Sequence, residues 1–163
     1  MALGAGDDAI TPPTRMMLDF LNGDTPAYID CILNFVSVED LAKGMIAAAD
    51  KGAPGERYLL AGDNIPMARL LAMLSEATGR KTPKTKLPYG VALAVGVIDT
   101  KFVAALTGKA PKAPLTGVRL AGRRVSFSGA KAARDLDWRA APVDSALREM
   151  IDWAEAQGHL KPR

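Results

Sequence analysis

Segments of this chain that favour β-structure are few, short and far apart, while the stretches between them carry broad apolar stripes at helical spacing. Residues 27–32, 33–37, 57–61 and 125–127 are the candidate strands. So few strands cannot build a sheet covered on both faces, yet the helices need a surface to cover. That imbalance predicts an α/β chain whose main sheet is incomplete.

The helical pattern is clearer. Residues 14–22 place Met16, Met17, Phe20 and Leu21 on one stripe, with Gly23 as the stop. A second helix is expected from Ser37 or Glu39 to Asp50, with Leu41, Met45, Ile46 and Ala49 on one face. Residues 67–78 carry Leu70, Leu71, Met73 and Leu74 and close at Gly79. Residues 89–106 and 115–124 read as helices, as does 128–136 with Ser128 as its cap. A closing helix opens at Pro142-Val143-Asp144, turns Leu147, Met150, Ile151 and Trp153 to one side, and ends at Gly158. Residues 4–13, 52–55 and 62–64 read as loops, and the Pro-interrupted stretch 80–88 as extended.

Composition excludes several kinds of chemistry. One cysteine, Cys31, rules out an internal disulfide framework and a cysteine-rich zinc site. One histidine, His159, rules out two-histidine metal sites and argues against a buried Ser-His-Asp triad. Residues 1–50 hold eight acids against two bases, whereas residues 51–163 hold nineteen bases against ten acids. The basic clusters at 80–86 and 119–124 suit either a polyanion or plain solvent. No aromatics are interleaved for base stacking, which favours solvent and leaves a single phosphate-bearing ligand open. The opening residues turn acidic at Asp7 without a basic stretch, and the apolar run 91–98 is too short to cross a bilayer, so a reducing cytoplasmic setting is expected.

Catalytic motifs are missing. Gly4-Ala5-Gly6 has neither a preceding strand nor the third glycine of a dinucleotide loop, and no Walker loop is present. None of Tyr28, Tyr58 and Tyr89 has a lysine four residues on. Asp7-Asp8 and Glu39-Asp40 read as loop and helix-start acids, Asp99 as a satisfied or rim-facing acid beside Lys101, and Cys31 as an inert core thiol. No catalytic, cofactor-binding or metal-binding residue is therefore nominated.

Three stretches in fixed order carry a resemblance. They are Gly4–Asp7 with Thr11-Pro12-Pro13-Thr14-Arg15 and the helix into Gly23; residues 33–42 followed by 55–62; and residues 125–138 with Pro142 and the closing helix. Together they resemble the C-terminal half of an extended short-chain dehydrogenase/reductase of the NAD-dependent epimerase/dehydratase, dihydroflavonol-4-reductase-like group, especially the hopanoid-associated sugar epimerases. The resemblance implies a helix-rich, substrate-side portion of an NAD(P)-binding Rossmann-type fold. The N-terminal nucleotide-binding part of the sheet, with its glycine loop and its tyrosine-x-x-x-lysine pair, would lie upstream, and residues 1–163 would be a single incomplete domain. The chain departs from the family pattern at Leu33, where nucleotide-sugar epimerases often carry arginine, and at Ala5, Ser128-Gly129-Ala130 and Asp137.

The resemblance implies a portion of a sugar epimerase or carbonyl reductase, inactive as this chain alone. NAD or NADP would serve the whole enzyme, with no tight cofactor binding by this half. The expected partner is a small-molecule sugar or carbonyl substrate, with no metal and no membrane span; a homo-oligomer is left open. Candidate substrate contacts are Arg15, Met16, Phe20, Tyr28, Asn34 and Arg124. Each also has a structural reading: Met16 and Phe20 as core, Tyr28 and Asn34 as sheet edge, Arg15 and Arg124 as solvated charges. A non-catalytic interaction module and, more weakly, a basic nucleic-acid-binding domain are the alternatives.

Overall fold

The computed structural model describes residues 1–98, 119, 121–123 and 125–162. Its elements are β1 (Ala2–Leu3), α1 (Pro12–Leu21), β2 (Ala27–Ile29), β3 (Ile32–Ser37), α2 (Val38–Lys51), β4 (Asp63–Pro66), α3 (Met67–Thr78), β5 (Thr85–Leu87), α4 (Tyr89–Ile98), α5 (Ala130–Asp135) and α6 (Asp144–Ala156). Most of the expected helix at 115–124, most of the second half of 89–106, and Asp99, Lys101 and Arg124 fall outside the described residues.

The helix ends follow from local chemistry. Pro12 and Pro13 open α1, where a missing N–H costs nothing. Ser37 ends β3 and caps α2, its hydroxyl accepting from the Asp40 N–H at 3.1 Å, with Glu39 and Asp40 in the positive first turn. Gly79 closes α3 with a left-handed φ of 66°, which glycine adopts without strain.

β3 is the centre of a three-stranded sheet ordered β1-β3-β4. β1 runs parallel to it, Ala2 opposite Val36, and β4 runs antiparallel, Asp63 opposite Phe35. Side chains alternate across the strand. Phe35 points into a core with Met17, Phe20 and Leu21 of α1, Leu70 and Leu74 of α3, and Leu147 and Met150 of α6. Val36 points into a smaller core with Ala132, Leu136 and Trp138, against which Leu41, Tyr58 and Leu60 pack. β2 and β5 form a separate parallel ribbon with Tyr28 opposite Lys86, and the Lys86 ammonium pairs with Asp30 at 2.6 Å.

The α3 and α6 predictions hold, and β2 and β3 divide the expected strands at Asp30 and Cys31. The face expected of α2 holds at Leu41 and fails at its other three residues. Met45, Ile46 and Ala49 are exposed, and the helix turns Leu41, Gly44, Ala47 and Ala48 inward instead. Small residues win there because the neighbours come close: a Cβ at Gly44 would lie 2.8 Å from the Leu60 methyls. Residues 57–61 and 125–127 form no strand, and the strand falls at Asp63–Pro66, overlapping the loop expected at 62–64. β5 lies within the stretch 80–88 read as extended, while β1, of two residues, had no sequence pattern to announce it.

The turn into β4 is tight. The Asn34 carboxamide donates to the Gly62 carbonyl at 2.9 Å and accepts from its N–H at 3.3 Å. A Cβ at position 62 would stand 2.1 Å from the Phe35 carbonyl oxygen, which is backbone and cannot step aside. Gly62→Ala is therefore expected to destabilise the fold by about 1–3 kcal/mol, read as a lower urea midpoint at unchanged slope.

Candidate functional site

The candidate wall starts at α1. Asp7 anchors its entry, the carboxylate accepting from the Thr11 N–H at 2.9 Å and the Thr11 hydroxyl at 2.6 Å. Burial works to raise the Asp7 pKa, but the hydrogen bonds from Thr11 and Thr14 outweigh it and hold the carboxyl below its ordinary value. α1 presents Arg15 to solvent, half-buries Met16 and buries Phe20 in the main core. Tyr28, on the β2–β5 ribbon, is half-buried, and it and Met16 both pack at the margin of that core.

The structure thus brings Met16 and Tyr28 to the edge of one core, with Arg15 on the outer side of α1. Phe20 lies inside, in the position its core reading anticipated. Asn34 sits apart, on β3, with both ends of its carboxamide engaged by Gly62 and a further contact to Asn64 at 3.1 Å. Asn64 in turn grips the Phe127 backbone, donating to its carbonyl at 2.7 Å and accepting from its N–H at 3.0 Å. Arg124 is outside the described residues, but the chain three residues beyond it is held on the Asn64 side of β4.

The sequence reading missed Asn64 and Asp63, and for Asp40, read there as a helix-start acid, it missed the long-range bonds. Asp40 accepts from the Ala141 N–H at 2.9 Å through its carboxylate and from the Trp138 indole at 2.9 Å through its carbonyl. Asp63 accepts from the Val143 N–H at 3.0 Å, at the start of α6. These groups fix the closing segment onto the sheet. Their partners lie some 60 to 100 residues away, so no local pattern could have pointed to them.

Chemically the described residues are quiet. No group of His, Cys, Asp and Glu among them could hold a metal ion. Burial, with a smaller contribution from the Asp30 charge, pushes the Cys31 thiol up to about 11. Lys131 is engaged by Glu56, which raises its pKa, and stands 4.8 Å from the Tyr58 ring centroid. Concavities beside α3 and α6 are lined by Asp63, Asn64, Arg69, Met73, Asp144 and Arg148, and none of the described candidate contacts (Arg15, Met16, Phe20, Tyr28 and Asn34) lines them. No described helix is long and apolar enough to cross a membrane.

Similarity to known proteins identifies the architecture. No family model matches the chain. A Synechocystis sp. protein carrying the name dihydroflavonol 4-reductase is 31% identical over 98% of this chain. The crystal structure of PA4631, a nucleoside-diphosphate-sugar epimerase from Pseudomonas aeruginosa, is 26% identical and superposes on 99% of the chain with a TM-score of 0.76. WbmF from Bordetella bronchiseptica, solved with NAD+, is 28% identical over 95% of the chain with a TM-score of 0.55. The chain is similar to the extended short-chain dehydrogenases/reductases and matches their C-terminal portion. It spans about half the length of these relatives: 47% of the Synechocystis protein, 47% of PA4631 and 41% of WbmF. The three-stranded sheet is accordingly a partial Rossmann-type sheet.

The raised Cys31 pKa sets a pH window. The neutral thiol is favoured by folding, so its contribution is complete below the ordinary value of 9.0 and is lost as pH rises toward about 11. Cys31→Ala is expected to flatten the fall in melting temperature between those two values relative to the parent chain. A thiol reagent at pH 8 should label Cys31 slowly until denaturant is added.

Proposed function

We infer that this chain is the substrate-side portion of an NAD(P)-dependent sugar epimerase or carbonyl reductase. The observation that carries the reading is the match to PA4631: nearly all of the chain superposes, yet it accounts for 47% of that epimerase. On this reading residues 1–163 are one incomplete domain, and the dinucleotide loop and the tyrosine–lysine pair belong to the other half. A tyrosine base with its pKa lowered by the lysine would move the proton, and the nicotinamide would carry the hydride.

The chain's own part is the wall and the support behind it. Met16 and Tyr28 offer apolar and phenolic surface at the core margin, and Arg15 offers a charge in solvent beside them. Phe20 backs that surface from within the core, while Asn34 and Asn64 hold the segment that follows Arg124. Leu33 supplies no charge for a phosphate, so Arg124 and the basic connector at 80–86 are the residues available to a phosphate-bearing substrate. The cytoplasm is the setting that fits NAD(P) chemistry.

Fluorescence titration of the 163-residue chain with NADH tests the division of labour. No saturable binding at micromolar concentration and no NADH oxidation with carbonyl substrates are expected. Micromolar binding accompanied by turnover overturns the reading.

A further inference from the structure

The positive charge of this chain is concentrated in one stretch. Residues 80–124 hold ten bases against one acid, whereas the rest of the chain holds eleven bases against seventeen acids. The same stretch contains α4, ten residues with no charged side chain on any face. A helix that is apolar all round is ordinarily covered all round. Here Tyr89 is 45% exposed and Val91 51%, and Gly90 and Ala94 are exposed with them.

The fold gathers both basic clusters around the start of this helix. β5 ends at Leu87 and Pro88 leads directly into α4, so Lys84 and Lys86 lie just ahead of its first turn. Gly122, within the second cluster, returns to the same place, because a Cβ there would run into the Tyr89 ring. That contact sets Arg123 and its neighbour in the cluster, Arg119, beside the helix start. Lys81, Lys84, Lys86, Arg119 and Arg123 are all exposed. Lys86 is held by Asp30, and the ribbon from which α4 grows is a sheet separate from β1-β3-β4.

We propose that α4 and the basic residues around its start form a docking surface for an anionic phospholipid bilayer. Membrane docking goes beyond the enzymatic reading and does not depend on it. A lipid surface offers negative charge and apolar depth in adjacent layers. Val91 and Ala94 match the apolar layer, Lys81, Lys84, Arg119 and Arg123 match the headgroups, and Tyr89 is amphipathic, as a side chain at that boundary should be. Ten helical residues are about 15 Å long, half the thickness of the hydrocarbon core, so α4 lies in the interface and does not cross it. A nucleic acid would engage the charge but leave the apolar helix uncovered, and neither cluster interleaves an aromatic for base stacking. A second copy related by a twofold axis would set like-charged clusters against each other.

Co-sedimentation of the 163-residue chain with vesicles tests this. Vesicles containing phosphatidylglycerol should bind it at least about tenfold more tightly than vesicles of phosphatidylcholine alone, and rising salt should weaken the binding. Val91→Glu should lower binding to the anionic vesicles by roughly tenfold, because a carboxylate would have to enter the apolar layer. The double substitution Lys84→Glu with Arg123→Glu should lower it by at least about tenfold through charge. All three side chains are exposed, so the melting midpoint should stay with the parent in both variants. Val91→Cys carrying an environment-sensitive fluorophore should shift its emission to the blue on anionic vesicles; Cys31 is buried and escapes the label. Failure to bind anionic vesicles overturns the proposal. So does Val91→Glu binding like the parent with an unshifted fluorophore, since charge alone would then hold the chain. Self-association without lipid that Val91→Glu abolishes gives the face to a second copy and also overturns it. A salt-dependent gel shift with RNA, without vesicle binding, gives the basic clusters to a nucleic acid instead.

Discussion

The fold turns on a single strand that is buried on both sides. β3 sends Phe35, fully buried, into one core and Val36, 4% exposed, into the other, so the two clusters share a backbone and no other described strand carries both. A strand covered on both faces reads as a continuous apolar run rather than an alternating one, and Ile32-Leu33-Asn34-Phe35-Val36 fits that pattern except at Asn34. That exception is what ties β4 to β3, because the Asn34 carboxamide completes the hydrogen bonding of Gly62 where the chain comes too close for any side chain to intervene. Buried backbone groups need partners, and a strand flanked by a tight turn finds them in a side chain.

Long-range side-chain-to-backbone bonds then hold the C-terminal third. Asp40, Asp63 and Asn64 lie along the α2 and β4 side of β3 and take up the N–H groups of Ala141, Val143 and Phe127. Lys51 adds a bond from the end of α2 to the Leu136 carbonyl at 3.3 Å. The closing segment has little regular structure before α6, so these bonds and the burial of Leu136 and Trp138 set its path. The polar residues of the sheet region thereby serve architecture, and the described half carries no reactive constellation of its own.

How far the sequence foretold this varies by element, for physical reasons. α3 was legible end to end because its apolar residues face one core and a left-handed glycine terminates it. α6 was legible for the same reason, and Asp63 supplies the partner that its start requires. α2 was legible in extent and misread in orientation: hydrophobic size marks Met45 and Ile46, while the close approach of Leu60 selects Gly44 and the alanines. β4 escaped notice because Asp63 and Asn64 have low strand propensity and are held by cross-strand bonds rather than by their own preference. Of the candidate wall, Met16 and Tyr28 fell at a core margin as amphipathic residues do, Phe20 fell inside as the stripe of α1 required, and the bonding of Asn34 depended on a turn nearly thirty residues away.

The two tryptophans have a consequence of their own. Trp138 sits in the smaller core, its indole bonded to the Asp40 carbonyl, and Trp153 packs at the margin of the larger one with its ring 5.2 Å from that of His159. The chain therefore carries one tryptophan on each side of its central strand. Replacing either leaves an optical signal that belongs to one face alone, and the order in which the two emissions change during denaturation reveals whether β3 releases its two cores together or one at a time.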